Sequence, residues 1–130
     1  MPVAVNPLIN DPTIQSLKLA LDAAAMKHQA IASNIANVNT PNYKRLDLNP
    51  SFTTEFQKAM TTLESGQSMS ELPKPALSET SMGGVLRMDG NNVNMEQELM
   101  DLMNNQSKFD FASKMLIQKY NNLRVAMGKG

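Results

Sequence analysis

DPTIQSLKLALDAAAMKHQAIASNIAN, residues 11–37, decides the fold of this chain. Asp11 is a natural helix N-cap, and Pro12 occupies the first helical position, where a missing N–H and a fixed φ do no harm. From there Ile14, Leu17, Leu21, Ala24, His28, Ile31, Ile35 and Val38 recur at alternating spacings of three and four. Such a pattern predicts a heptad helix with one buried seam. Ala23, Ala24 and Ala25 add little bulk, which suits close approach of a second helix.

That second helix is expected at the other end of the chain. Asn94 is the predicted N-cap and Gln97 stands in the capping-box position. Glu96, Glu98 and Asp101 suit the positive end of the helix dipole; Lys114, Lys119, Arg124 and Lys129 suit the negative end. Met95, Leu99, Leu102, Gln106, Phe109, Ser113, Leu116, Tyr120, Leu123 and Met127 form its seam. The expected fold is therefore mainly α: long amino- and carboxy-terminal heptad helices pair as an antiparallel-type hairpin or coiled coil, joined by a partly disordered middle loop.

Between and around these helices the signals are weaker. Residues 1–10, with two prolines and two asparagines, read as a flexible arm, and 11–39 as the first helix. Residues 40–64 form a turn and a short helix, with Ser51 as its expected cap and Phe52, Phe56, Met60 and Leu63 on one face. Residues 65–92 are rich in Gly, Ser, Pro and Met, without period, and read as a flexible loop. Within it Val85 to Met88 is expected as a brief strand before an Asp89-Gly90 turn. Residues 93–128 complete a single structural domain with the last helix.

Composition narrows the function. Twelve basic and twelve acidic residues leave no net charge among 130, so the electrostatic footprint of a nucleic-acid binder is missing. Cysteine is absent, which removes thiolate chemistry and disulfides. Met1 to Asn10 lacks the basic start and apolar core of a cleaved secretory signal. His28 is the only histidine and has no second ligand at metal spacing. The acidic run Glu96, Glu98, Asp101 is accounted for by the helix dipole, and Asp89-Gly90-Asn91 lacks the closing Glu of a calcium loop. Gly83-Gly84 has no phosphate-binding lysine after it, and Lys44-Arg45 reads as a solvated or partner-facing pair. No nucleophile, base and orienting group stand together, so an enzyme, a cofactor or a small-molecule substrate is not expected. A lone helix pair with one seam is also marginal against the entropy of ordering it, so assembly should supply further burial.

One stretch is more specific. Ala32-Ser33-Asn34-Ile35-Ala36-Asn37-Val38-Asn39-Thr40-Pro41-Asn42-Tyr43-Lys44 closely resembles the signature of the flagellar basal-body rod proteins and their hook and axial relatives. Ser33, Asn34, Ala36, Asn37, Thr40, Tyr43 and Lys44 match it. Asn42 replaces the usual glycine before the tyrosine, and asparagine tolerates φ > 0 next best. The chain is too short for the β-rich insertion of distal rod and hook members, and Asp89 to Asn94, Glu98-Leu99-Met100, Asn105-Gln106 and Phe109 look like the ending of a short proximal rod subunit. The resemblance implies a structural subunit that polymerises through its terminal helices into the drive shaft that transmits torque and encloses the export channel. It implies as partners further copies, other rod proteins, the adaptor at the inner-membrane ring and the flagellar type III export apparatus, in a periplasmic basal body reached without a cleaved signal peptide. Assembly contacts would fall on Ile14, Leu17, Leu21, Ala24, Ile31, Ile35, Val38, Leu99, Leu102, Phe109, Leu116, Tyr120 and Leu123, with the motif residues forming the turn that meets neighbours. Another short axial component, or a small helical adaptor or export chaperone, is the alternative.

Overall fold

The computed structural model describes residues 11–81 and 85–129. The arm expected over 1–10 and the Gly83-Gly84 pair lie outside the described residues. Among the described residues three α-helices carry the fold: α1 (Pro12–Ala36), α2 (Pro50–Glu64) and α3 (Met95–Arg124). Between them β1 (Leu46–Leu48) and β2 (Leu77–Glu79) pair antiparallel, with Asp47 opposite Ser78.

Each helix begins on an asparagine or aspartate whose side chain takes an otherwise orphaned N–H. Asp11 accepts from the amides of Thr13 and Ile14, and Asn94 from that of Gln97, both as the sequence predicts. The cap of α2 is Asn49 rather than Ser51: its carboxamide accepts from the Ser51 amide at 2.8 Å, and Pro50 takes the first turn. Asn49-Pro50 thus repeats the device of Asp11-Pro12. The capping box of α3 is only half formed, because the Gln97 carboxamide donates forward to Asp101 instead of back to Asn94.

Helices α1 and α3 lie side by side and run antiparallel. Contacts at three levels show the direction: Asn34 meets Glu98, the Asn105 carboxamide donates to the Ala24 carbonyl at 2.8 Å, and Lys119 lies 3.5 Å from Asp11. The Ala23–Ala25 run lets α3 come close enough to reach a helix carbonyl. A second flank of α1 is covered by α2, where Leu19 and Ala23 join Phe52, Ala59 and Leu63 in the apolar core, with Leu48, Phe56, Met60, Met69 and Leu72 around it. The hairpin is therefore not alone, and a third helix adds burial that the paired-seam estimate omits.

Two partners also broaden the buried face of α1 beyond one seam. Of the expected seam Ile14, Ala24 and Ile31 are buried, Leu17, Leu21, Ile35 and Val38 are half-buried, and His28 is exposed; Gln15, Leu19, Ala23, Ala30 and Asn34 are buried as well. On α3 the deepest line is Glu98, Asn105 and Ala112, one position before the expected Leu99, Gln106 and Ser113. Leu102, Leu116, Tyr120 and Leu123 are half-buried, whereas Leu99 and Phe109 are exposed. The regular α-helix stops at Arg124, and Val125–Lys129 continues as a π-turn with Gly128 at φ 82°.

The segment read as a flexible loop has a definite path where it is described. Gln15 holds Met69 by two bonds, donating to its carbonyl at 2.7 Å and accepting from its amide at 2.9 Å. β2 then pairs with β1, and Asn91, Asn92 and Val93 are buried. No strand forms at Val85–Met88. The Asp89-Gly90 turn is present, closed by the Gly90 amide donating to the Arg87 carbonyl at 2.9 Å.

Candidate functional site: a buried polar node beneath the Asn37–Lys44 turn

Past Ala36 the backbone leaves the helix through Asn37, then turns twice, the Thr40 amide donating to Asn37 and the Tyr43 amide to Thr40. Asn42 has φ 63°, the left-handed geometry that its place in the motif predicts. Against this turn sits a second one. The Asn42 amide donates to the Asp89 carbonyl at 2.7 Å, and Gly90, at φ 82°, comes so close that an added Cβ would stand 2.3 Å from Asn42 Oδ1. Lys44 Nζ clamps the pair by donating to the carbonyls of Asn42 and Gly90. Gly90→Ala should lower stability by about 1–2 kcal/mol, the cost of a left-handed non-glycine residue, since the Asn42 carboxamide can swing aside. Urea denaturation followed by circular dichroism would measure this; an unchanged midpoint would mean the turns do not need their close approach.

Beneath the turns, side chains from both ends of the sequence converge. Asn34 uses its whole hydrogen-bonding capacity: Nδ2 donates to the Leu46 carbonyl at 2.9 Å and to Glu98 Oε1 at 3.0 Å, while Oδ1 accepts from the Leu46 amide at 2.7 Å and from Tyr43 Oη at 2.9 Å. Its carboxamide thus pairs with Leu46 as a neighbouring strand would. Because the Tyr43 proton goes to Asn34, Ser33 Oγ donates to Tyr43 Oη at 2.8 Å.

Glu98 and Arg45 form the centre, with side chains 0% and 4% exposed and Nε–H donating to Oε2 at 2.9 Å. Asp47 and Asp101 flank the guanidinium at 3.6 and 3.9 Å. Asn92 accepts from the Arg45 amide at 2.7 Å and donates to the Thr80 carbonyl at 2.8 Å. Asn91 donates to the carbonyls of Asn37, Val38 and Thr40, adding to the bonds that close the turn after α1, and accepts from the Val93 amide. Among the described residues no buried side-chain nitrogen or oxygen lacks a partner. A saturated buried network of this kind holds elements in register.

Asp47 couples the node to α1. Burial pushes its carboxyl up, but the 2.6 Å bond from Lys27, the Leu48 amide, and the charges of Lys27 and Arg45 outweigh that and hold it below the usual value. The folded pKa is the lower one, so this contribution to stability is complete above the unfolded value near 4 and is lost as pH falls through the folded one. Asp47→Asn should therefore destabilise the chain at pH 7 and make progressively less difference below about pH 4. Urea titrations at the two pH values check it.

The motif residues thus have distinct places. Asn34, Tyr43 and Ser33 enter the node, Asn37, Thr40 and Lys44 shape the turn, and Ala36 closes the helix on its exposed side. Arg45, read from the sequence with Lys44 as solvated or partner-facing, is instead buried against Glu98 of its own chain, and Asn91 and Asn92 carry no reading of a role in such a node. The sequence places Glu98 at the helix dipole and in the family-like ending, and the 53 residues between it and Arg45 hide the pairing.

An α-helical hairpin with a braced turn, a saturated polar centre and an apolar outer face is a structural building block. Comparison with known proteins agrees: the family model described as "Flagella basal body rod protein" matches residues 14–44, the span of α1 and its turn. Over those residues the chain resembles flagellar basal-body rod proteins. It is similar to the "Flagellar basal body rod protein FlgB" of Bacillus subtilis, 29% identical over 126 residues that cover 91% of this chain and 95% of the relative. It is similar also to FlgB of Salmonella typhimurium, 28% identical over 82% of this chain and 86% of that protein, and to FlgB of Borrelia hermsii, 24% identical over 82% and 89%.

Proposed function

We propose that this chain is a structural subunit of the bacterial flagellar basal-body rod, a FlgB-like segment that assembles through its helices into the drive shaft around the export channel. The observation that carries assembly is the surface of α3 turned away from α1. There Leu99, Met100, Met103 and Ile117 stand exposed, more apolar side chain than one surface helix of a monomer ordinarily shows. Neighbouring subunits bury that surface, and α1 and α3 pair as a coiled coil within the shaft. The partners in this reading are further copies, other rod proteins and the adaptor at the inner-membrane ring, and the subunit reaches them through the type III export apparatus.

The FlgB relatives extend over 82% to 91% of this chain, which supports the reading. Deleting the gene and imaging isolated basal bodies tests it. Loss of the rod, restored by the wild-type gene, is expected; an intact rod in the deletion strain would sink the proposal.

A further inference from the structure

A groove of about 610 Å³ opens between α2 and α3, with α1 as its floor. Leu17, Ala20, Phe56, Met60 and Phe111 give it an apolar lining, and Lys27, Asp101 and Lys108 stand along it. At the far end of the hairpin the chain offers the opposite shape. Val85 and Met88 project almost entirely into solvent at 89% and 106% exposure, and Leu86 is 59% exposed. They are not loose: the Arg87 amide donates to the Asn91 carbonyl at 2.9 Å, and the Arg87 guanidinium holds the carbonyls of Val93 and Val38. Presenting apolar groups on a braced turn lowers the ordering cost of docking them.

We infer that the 85–88 turn of one subunit seats in the α1–α2–α3 groove of a second copy. This rests on the rod reading above and names the contact by which one copy would add to the next. Three observations converge on a second copy as the occupant. The turn is tied to Val38, whereas the groove runs along residues 16–27 of α1. At 1.5 Å per residue Val38 lies about 17 Å along the helix axis from the near end of that stretch and about 33 Å from its far end, so a chain does not fill its own groove with its own turn. The turn also carries one charge of each sign, Arg87 and Asp89, as does the α3 edge of the groove with Lys108 and Asp101. Finally, turn and groove are different surfaces displaced along one axis. Their contact is heterologous, and repeated it makes an open helical filament rather than a closed dimer.

The chain has no cysteine, which makes disulfide trapping clean, because only closely apposed pairs oxidise. Full-length Met88→Cys is mixed with Gln57→Cys, in the groove, or with Lys58→Cys, one residue further on α2, and oxidised at increasing concentration. The contact predicts at least tenfold more mixed dimer with Gln57→Cys, and a ladder of oligomers from the double variant Met88→Cys/Gln57→Cys. Equal yields, or no dimer at any concentration, would overturn it. So would an internal bond in Val5→Cys/Gln57→Cys without dimer, which would give the groove to the chain's own first residues. A Leu86→Asp/Met88→Asp subunit separates the two levels. If it builds normal rods in the deletion strain and cross-linking fails, the seated turn is wrong while the rod function stands; an intact rod without the gene removes the function itself.

Discussion

Replacing Arg45 by alanine should cost about 3–5 kcal/mol of stability, the typical penalty for leaving one partner of a buried ion pair behind. Glu98 would keep, among its described partners, only the Asn34 carboxamide. That loss approaches the whole stability of a small domain, so the variant should be largely unfolded at room temperature by circular dichroism. The reverse change, Glu98→Ala, should cost less, toward the lower end of that range, because Asp47 and Asp101 still flank the guanidinium. Replacing both, as in Arg45→Met/Glu98→Leu, should recover much of the loss, since an apolar pair of similar size removes both desolvation penalties. If Arg45→Ala unfolds no more readily than the wild type, the node is not what holds the turn to the third helix.

The second large effect should fall on assembly and spare the fold. Met103 and Ile117, 70% and 60% exposed on the outer face of α3, touch little within the chain, so Met103→Asp/Ile117→Asp should keep the monomer's stability within about 0.5 kcal/mol per site. In the filament the same positions would place unpaired carboxylates in an apolar interface. Rods should be missing from isolated basal bodies and cells should not swim. Swimming cells with normal rods would show that this face stays in solvent. Charges at Leu21 or Leu116 make a poorer test, because both residues are half-buried within the chain and would damage fold and assembly together.

The contrast between these two substitution sets shows how far the sequence could be read. Helix starts were legible at Asp11-Pro12 and Asn94, where capping chemistry is local and depends on one or two residues. The heptad of α3 was legible in period but misplaced in phase. Apolar pattern reading favours Leu99 over Glu98, yet Glu98, Asn105 and Ala112 are the buried line, because polar side chains go inward when partners wait for them. Those partners, Arg45 and Asn34 for Glu98 and the Ala24 carbonyl for Asn105, lie 53 to 81 residues away. No window of sequence contains both halves.

The strands escaped for a different reason. Three residues each, between Arg45 and Asn49 on one side and Ala76 and Thr80 on the other, they are too short to display alternation. They exist because Asn34 pairs with Leu46 and Asn92 bridges Arg45 to Thr80. The motif itself was legible as a pattern, and the left-handed Asn42 followed from it. What the pattern could not convey is that its asparagines and tyrosine point into a node completed by residues 91–98.

That node also has a direction in time. Its first members are Ser33 and Asn34, and it closes only when Glu98 arrives, 64 positions later. A chain delivered amino end first would carry α1 and its turn forward with their polar groups still bonded to water, and contacts of such long reach form late and slowly. Were the chain to pass a narrow conduit in that direction, the first 98 of its 130 residues would have to clear it before the fold could lock, so the leading part would stay compliant during transit and rigidity would come on arrival.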